Sequence, residues 1–112
     1  MNKKSALLAP AIVLAVVAAM PAGAAPDATA ALALAKKSNC LKCHSVDKKK
    51  DGPAYKEVAA KYKGKADAEQ KLYIHLTTNP MVEVEGSKEE HSSLKTKDDA
   101  EIRNVIRWIL SL

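Results

Sequence analysis

The chain has 112 residues, enough for one small domain. Lysine and arginine total 18 against 13 aspartate and glutamate, a formal net charge of +5, and the arginines are limited to Arg103 and Arg107. This mild excess argues against a nucleic-acid-binding protein. With no phenylalanine, one tryptophan and three tyrosines, the chain can bury only a small core, so we expect another group to help fill its centre.

Residues 1–25 have the features of a secretory signal peptide. Lys3 and Lys4 provide the positive start, an apolar run follows, and small residues at 22–24 suit a signal peptidase. The run is shorter than the ~20 apolar residues that cross a bilayer, and Pro10 interrupts it, which disfavours a membrane anchor. We therefore expect removal of residues 1–25, a mature domain over residues 26–112, a periplasmic location and no membrane attachment after cleavage.

Three helices are predicted before residue 80. Pro26 and Asp27 start the first, which continues through strong helix formers into the sequence CLKCH. After the loop SVDKKKDG, the stretch GPAYKEVAAKYKG predicts a second helix, with Pro53 in its first turn and Gly64 at its end. A third helix is expected over residues 67–77, closed by the TTNP turn.

The last part of the chain combines a predicted loop with the clearest helix. Residues 81–96 show no sustained period, whereas Thr96 and Asp99 resemble a capping box at the start of a helix. Trp108 lies at the edge of the apolar stripe of this helix, where its indole can cover a bulky group. The stripe consists of Ile102, Val105, Ile106, Ile109 and Leu110. Three or four helices without a convincing strand predict an all-α domain.

The cysteines of the chain form one compact motif. Cys40 and Cys43 are spaced Cys-x-x-Cys, and His44 follows at once. In an exported protein this five-residue pattern is the attachment signature of c-type haem. Each thiol can add to one haem vinyl group, which places the adjacent imidazole against the iron. The motif predicts one covalently bound haem c, whose burial would also supply the missing centre of the core.

Three other roles for the cysteine pair are weaker alternatives. A thioredoxin-like dithiol normally follows a strand, and no strand is predicted before Cys40. A zinc site needs four ligands at close spacing, whereas His75 and His91 lie far apart in the sequence. A disulfide between two such near neighbours would close a very short loop and stabilise the fold little.

Three segments together carry a family resemblance. With CLKCH after an N-terminal helix, DGPAYKEVAAKYKG in the middle and IRWILSL at the end, the chain resembles small bacterial monohaem class I c-type cytochromes over residues 26–112. The resemblance implies three to four helices around one haem, with the N- and C-terminal helices crossing. It also implies that Cys40 and Cys43 carry the haem, that His44 is the proximal ligand, and that Pro53 accepts a hydrogen bond from His44.

The sequence departs from this family at the sixth iron ligand. The family usually places a methionine in the loop before the last helix, and His91 occupies that position here. Met81 lies much earlier, and His75 falls within the third predicted helix, where a surface or helix-packing role is expected. His91 is therefore preferred, with Met81 and an open or lysine-bound site as alternatives. Because methionine opposite histidine raises the haem potential, paired His44 and His91 predict a lower one.

The resulting hypothesis is a periplasmic one-electron carrier without enzymatic activity. We expect a monomer that meets redox partner proteins transiently, guided by lysines such as Lys42 and the run at residues 48–50. One alternative is a sensor haem protein, in which a small ligand displaces His91. The other is an electron-transfer subunit of a periplasmic oxidoreductase.

Overall fold

The computed structural model describes residues 9–13 and 25–112. The elements are α1 (Ala28–Lys37), a 3₁₀ turn (Cys40–Lys42), α2 (Tyr55–Tyr62), α3 (Ala68–Thr77), β1 (Met81–Val84), β2 (Ser87–Glu90) and α4 (Asp99–Leu110). Among the described residues, no helix is both long and apolar enough to cross a membrane. Nearly all of the predicted signal peptide lies outside the described residues, so cleavage stays a prediction.

The other helices pack on α4, whose apolar stripe is buried. Ile106 at its centre is fully enclosed, and α1 faces it with Ala31 and Ala35, which are also fully buried. Small side chains one turn apart let two helices approach closely. The amide of Asn104 accepts from the Asp27 N–H at 2.8 Å and donates to the Asp27 carbonyl at 2.9 Å. The first and last helices are thereby joined at one end as well as along their faces.

Two further helices cover the remaining sides of α4. α2 buries Tyr55 and Ala59, and α3 buries Leu72 and Leu76. Arg103 of α4 donates to Glu69 of α3 at 3.2 Å, and to Asp99 one turn earlier in α4 at 2.8 Å. Such partly exposed pairs contribute at most about 1 kcal/mol each, so the buried side chains hold the bundle together.

The predicted starts of two helices need correction. The N-cap of α4 is Asp98, whose carboxylate accepts from the Glu101 N–H at 3.1 Å, so the expected capping box of Thr96 and Asp99 is wrong. Thr96 instead donates its hydroxyl to the Glu101 carboxylate at 2.6 Å. Likewise α2 begins after its N-cap Ala54, which places Pro53 outside the helix rather than in its first turn.

Residues 81–90 form an antiparallel hairpin, so the predicted loop over residues 81–96 is wrong in that part. Met81 pairs with Glu90, and Val84 pairs with Ser87 across a two-residue turn. Both turn residues, Glu85 and Gly86, have positive φ (49° and 83°), as the twist of a tight hairpin requires. The alternation in VEV followed by Glu-Gly was the sequence signal for it. The hairpin is small, and the all-α class is confirmed.

The hairpin has two different faces. Met81 and Glu83 form its outer face and are exposed, whereas Val82 and Val84 form its inner face and are half-buried. The pairing continues beyond the strands, because the His91 N–H donates to the Pro80 carbonyl at 2.8 Å. Residues opposite each other, and those two positions apart, share a face. His91 therefore continues the inner face.

Candidate functional site

The cysteine motif closes into a single tight turn just after α1. Asn39 adopts a left-handed conformation with φ 60°, and the 3₁₀ turn begins at the next residue. The backbone N–H groups of Cys43 and His44 then both donate to the Cys40 carbonyl, at 3.2 and 3.0 Å. Both thiols are free, with Cys40 half-buried and Cys43 exposed. The motif therefore presents two thiols and one imidazole within one turn of chain.

The environment of Cys40 does not favour a thiolate. Burial raises the pKa of this thiol, and a hydrogen bond with Tyr55 opposes the rise only in part. Burial also raises the pKa of the Tyr55 hydroxyl, and Cys40 beside it adds to the effect. A reactive dithiol needs a lowered thiol pKa, so this arrangement does not fit thioredoxin-like chemistry.

The His44 ring is fixed by the loop that follows it. Its Nδ1 lies 2.7 Å from the Pro53 carbonyl oxygen, which can only accept. The hydrogen is therefore on Nδ1, and Nε2 keeps its lone pair. A Cβ atom on Gly52 would lie 2.5 Å from His44 Cε1, so only glycine allows this approach. The Gly52 N–H also donates to the Cys43 carbonyl at 2.7 Å, which ties the loop back to the motif.

Two aromatic rings support His44 from α2 and α4. Tyr55 stacks on the imidazole, with centroids 5.2 Å apart and an angle of 22° between the planes. Trp108 is buried and meets Tyr55 edge-on at 5.6 Å. Trp108 thus reaches the site through Tyr55. Sequence reasoning missed Tyr55 and Gly52 as site residues, although both lie beside Pro53 in the quoted stretch DGPAY.

The three histidines of the chain converge. The rings of His44 and His91 have centroids 6.1 Å apart, and those of His91 and His75 are 4.2 Å apart. His75 projects from α3 and is half-buried, and its contact with another imidazole was not expected. Met81 is absent from this group, because it lies on the outer face of the hairpin with 62% of its surface exposed.

The two histidines opposite His44 are held in their neutral forms. Burial lowers the pKa of His91 to about 4, and nearby His75 and His44 contribute further. Burial also lowers the pKa of His75, with smaller effects from His44 and Lys61. A neutral imidazole is the form that binds metals. The Nδ1 atom of His91 is buried and has no hydrogen-bond partner among residues 9–13 and 25–112.

The distances fit one metal atom between two imidazoles. When two imidazole nitrogens bind a metal in line at about 2.0–2.1 Å, their ring centroids lie about 6 Å apart. The observed separation of the His44 and His91 centroids is 6.1 Å. The free Nε2 of His44 and the thiols of Cys40 and Cys43 complete a donor set suited to a covalently attached haem.

Comparison with known proteins identifies the family of this chain. Residues 28–112 match the protein family described as Cytochrome c. Cytochrome c-551 of Allochromatium vinosum is 58% identical over 48 residues, 43% of this chain, and the match spans about half (51%) of that relative. Cytochrome c-551 of Pseudomonas aeruginosa is 37% identical over 78 residues, which are 70% of this chain and 72% of that protein.

A solved structure extends the likeness to the fold. The class 1 cytochrome MtoD from Sideroxydans lithotrophicus is 50% identical and superposes with a TM-score of 0.74, covering 78% of this chain and 97% of that protein. The predicted cytochrome c fold is thereby confirmed. The chain belongs to the cytochrome c family, and is accordingly a small electron carrier with one covalently bound haem c rather than an enzyme.

Proposed function

We propose that this protein is a periplasmic one-electron carrier in which His44 and His91 are the two axial ligands of the haem iron. Cys40 and Cys43 would hold the haem covalently, one thioether bond each. The bound haem supplies a ferric–ferrous couple, and the protein orients and shields it. The observation that carries the proposal is the 6.1 Å separation of the His44 and His91 ring centroids.

On the proximal side, the loop after the motif orients His44. The Pro53 carbonyl accepts from Nδ1–H, which fixes the ring plane and makes Nε2 a stronger donor. Tyr55 packs against the ring, and Trp108 holds Tyr55 in place from α4. We assign Pro53 and Trp108 to the haem pocket for these reasons, the first as a hydrogen-bond acceptor and the second as a support.

On the distal side, the hairpin favours His91 over Met81. His91 continues the inner face, and its imidazole lies opposite His44. Met81 belongs to the outer face, and 62% of its surface is exposed. To bring Met81 to the inner face, β1 would have to shift by one residue along β2. That shift would disrupt the pairing of the two strands.

The ligand pair determines the expected potential. A methionine ligand raises the haem potential relative to other axial ligands, so the ferric state is favoured when a second imidazole replaces it. The hydrogen bond from His44 to Pro53 acts in the same direction, because it increases electron donation to the iron. We therefore expect a lower potential than that of relatives with His and Met ligands.

Lysines beside the motif suit an acidic redox partner. Residues 48–50 are lysines, and with Leu41 they line an open depression beside His44. Lys42, Lys48 and Lys49 are exposed, and Lys50 reaches back to donate to the Leu41 carbonyl at 2.8 Å. A positive surface of this kind speeds encounter without requiring a lasting complex, so we propose transient partners.

Export and monomeric state are parts of the same proposal. The features of residues 1–25 support export to the periplasm and cleavage before the domain. The haem would then be attached to the free thiols in the periplasm. Intact mass of protein purified from its host should correspond to residues from about 26 to 112 plus one haem. Sedimentation should give a monomer, and a larger species that includes an enzyme would instead indicate a dedicated subunit.

Two substitutions test the ligand assignment. His91→Ala should abolish the low-spin bis-imidazole spectrum of the ferric protein, whereas Met81→Ala should leave it unchanged. Glu89→Ala, on the exposed strand beside His91, is the matched control. A sulfur-to-iron absorption band in the native protein that disappears only in Met81→Ala would overturn the assignment.

Carbon monoxide distinguishes the carrier from a sensor. An iron with both axial positions filled should resist CO in the ferrous protein at neutral pH. His91→Ala should bind CO promptly, which shows that the assay detects an open site. Prompt binding by the unmodified protein would favour the sensor haem protein.

A further inference from the structure

The contact between His75 and His91 is not explained by the ligand assignment alone. The ring centroids are 4.2 Å apart and the planes meet at 50°, so the two imidazoles are in direct contact. His75 lies on α3, which is a separate element from the hairpin that carries His91. The third histidine of the chain is therefore brought to the distal side by tertiary packing.

The ligand role of His91 creates a requirement at its other nitrogen. If Nε2 binds the iron, Nδ1 carries a hydrogen and becomes a donor. This atom is buried and has no partner in the described parts of the chain. A buried donor left without a partner destabilises the fold. Histidines that bind metals almost always donate this second N–H to an acceptor.

The nearby acidic residues do not meet this requirement in the structure. Glu89 and Glu90 are exposed along β2, and no hydrogen bond in the described residues joins either carboxylate to the His91 ring. A neutral imidazole, by contrast, has one nitrogen that can accept. The ring of His75 already touches the ring of His91. The contact therefore places a ring that can accept a hydrogen bond beside this donor.

We propose that His75 is a positioning residue of the distal site, which packs against the His91 imidazole, accepts a hydrogen bond from its Nδ1–H and sets its ring plane. This inference rests on the proposed role of His91 as an axial ligand. It assigns His75 an effect on the iron through another residue, without contact to the iron itself.

The location of His75 suits this role. Leu76, the next residue, is buried against α4, and its carbonyl accepts from the Leu94 N–H at 3.0 Å. That bond ties α3 to the segment that leaves His91. The hairpin strands mainly contact each other, so they give the His91 ring little lateral support. α3 therefore supports the His91 ring from one side, which the hairpin strands do not do.

The test compares His75→Leu, His75→Gln and a control, Gln70→Leu, at an exposed position of the same helix. Leucine keeps bulk but removes the acceptor, and glutamine keeps an acceptor oxygen. For His75→Leu we expect changed g values in the electron paramagnetic resonance spectrum and a higher potential, because His91 donates less strongly. Displacement of His91 by cyanide should be about tenfold or more faster. His75→Gln should restore most of each value, and Gln70→Leu should match the native protein.

The outcomes distinguish the proposed role of His75 from the proposed ligand role of His91. If His91→Ala abolishes the bis-imidazole spectrum but His75→Leu leaves g values and potential unchanged, the role of His75 is refuted and the ligand assignment stands. Equal changes in His75→Leu and His75→Gln would show a packing role only, and would also refute it. If His91→Ala retains the native spectrum, the ligand assignment fails and the inference fails with it. Should His75→Leu not accumulate, His75→Gln with native g values still supports the hydrogen bond, and altered values refute it.

Discussion

The two sides of the site are held in very different ways. On the proximal side, the His44 ring is restrained by a hydrogen bond to Pro53, by close approach to Gly52 and by the stacked ring of Tyr55. On the distal side, within the described parts of the chain, the His91 N–H donates to the Pro80 carbonyl and the His91 ring contacts His75. The His44 ring is thus held from several directions, and the His91 ring from fewer.

This difference separates two tasks within one small domain. The residues that touch His44 come from one continuous segment, residues 52–55, which directly follows the cysteine motif, so this side is built mainly by local structure. Distal residues come from α3 and from the hairpin, two elements that meet only in the folded chain. A change on the distal side can therefore alter the surroundings of His91 without disturbing the cysteine motif.

The largest effect should come from adding one methyl group on the proximal side. In Gly52→Ala the new Cβ would lie 2.5 Å from His44 Cε1, so the imidazole must move. Misplacing a metal ligand typically costs 10–100-fold in affinity, and we expect the yield of folded holoprotein to fall by roughly tenfold or more. The yield is measured as Soret absorbance per unit of protein. The control is Gly64→Ala, where no atom lies within 4 Å, and an equal loss in both would contradict a tightly restrained proximal side.

The next effect should destabilise both sides together. Ile106 is fully buried on α4, the helix that all the others contact, and Ile106→Ala should lower the free energy of unfolding by about 2–5 kcal/mol. Ile74→Ala is the control, since 49% of its side chain is exposed and we expect less than about 1 kcal/mol. Denaturant unfolding, followed at the haem and by circular dichroism, measures both. Two separate transitions would mean that α4 does not couple the two sides.

A smaller, local effect should appear when the hairpin turn is strained. Gly86 has φ 83°, and an alanine there costs about 1–2 kcal/mol. If that cost loosens only the hairpin, cyanide should displace His91 about 5- to 30-fold faster while the unfolding midpoint changes little. Gly64→Ala, with φ 74° at the end of α2, imposes similar strain far from the hairpin. Equal acceleration in both variants would show that the distal side is not specifically the weaker one.

The smallest expected effect is on the stability of the protein at acidic pH. It involves the contact of α4 with α3, the helix that carries His75. A hydrogen bond from Arg103, and a second from Tyr73, hold the pKa of the Asp99 carboxyl below its usual range. The stabilisation that the Asp99 carboxylate gives the folded protein is therefore fully present above the pKa of the unfolded chain, near 4. It is lost as the pH falls through the lower pKa of Asp99 in the folded protein. In Asp99→Asn, the free energy of unfolding in urea should change less with pH below about 4 than in the native protein. Asp51→Asn, in an exposed loop, is the control, and a curve unchanged by Asp99→Asn would contradict the coupling.

The proximal side was largely visible in the sequence. Cys40, Cys43 and His44 are contiguous, so their motif needs no tertiary information, and the resemblance supplied the hydrogen bond of His44 to Pro53. The exact start of α2 was missed, because Pro53 fits both a first helical turn and the position before the N-cap. Gly52 was not singled out, since a glycine in a loop reveals the need for close approach only when the opposing ring is known.

The distal side was visible only in part. The position of His91 before the last helix made it the preferred sixth ligand, but strands of four residues carry too short an alternation to separate a hairpin from a loop. The contact of His75 could not be read from helical periodicity at all. Which face of α3 meets the hairpin depends on how Leu72 and Leu76 dock on α4, and that is a property of the packed molecule.

The pleat of β1 has an evolutionary consequence. Met81 and Val82 point to opposite faces, so deletion of the Val82 codon would move Met81 to the inner position and turn its sulfur inward. Such a change leaves the cysteine motif and all four helices intact. One small deletion would thus bring a thioether to the face that His91 continues, and methionine is the ligand type that raises haem potentials.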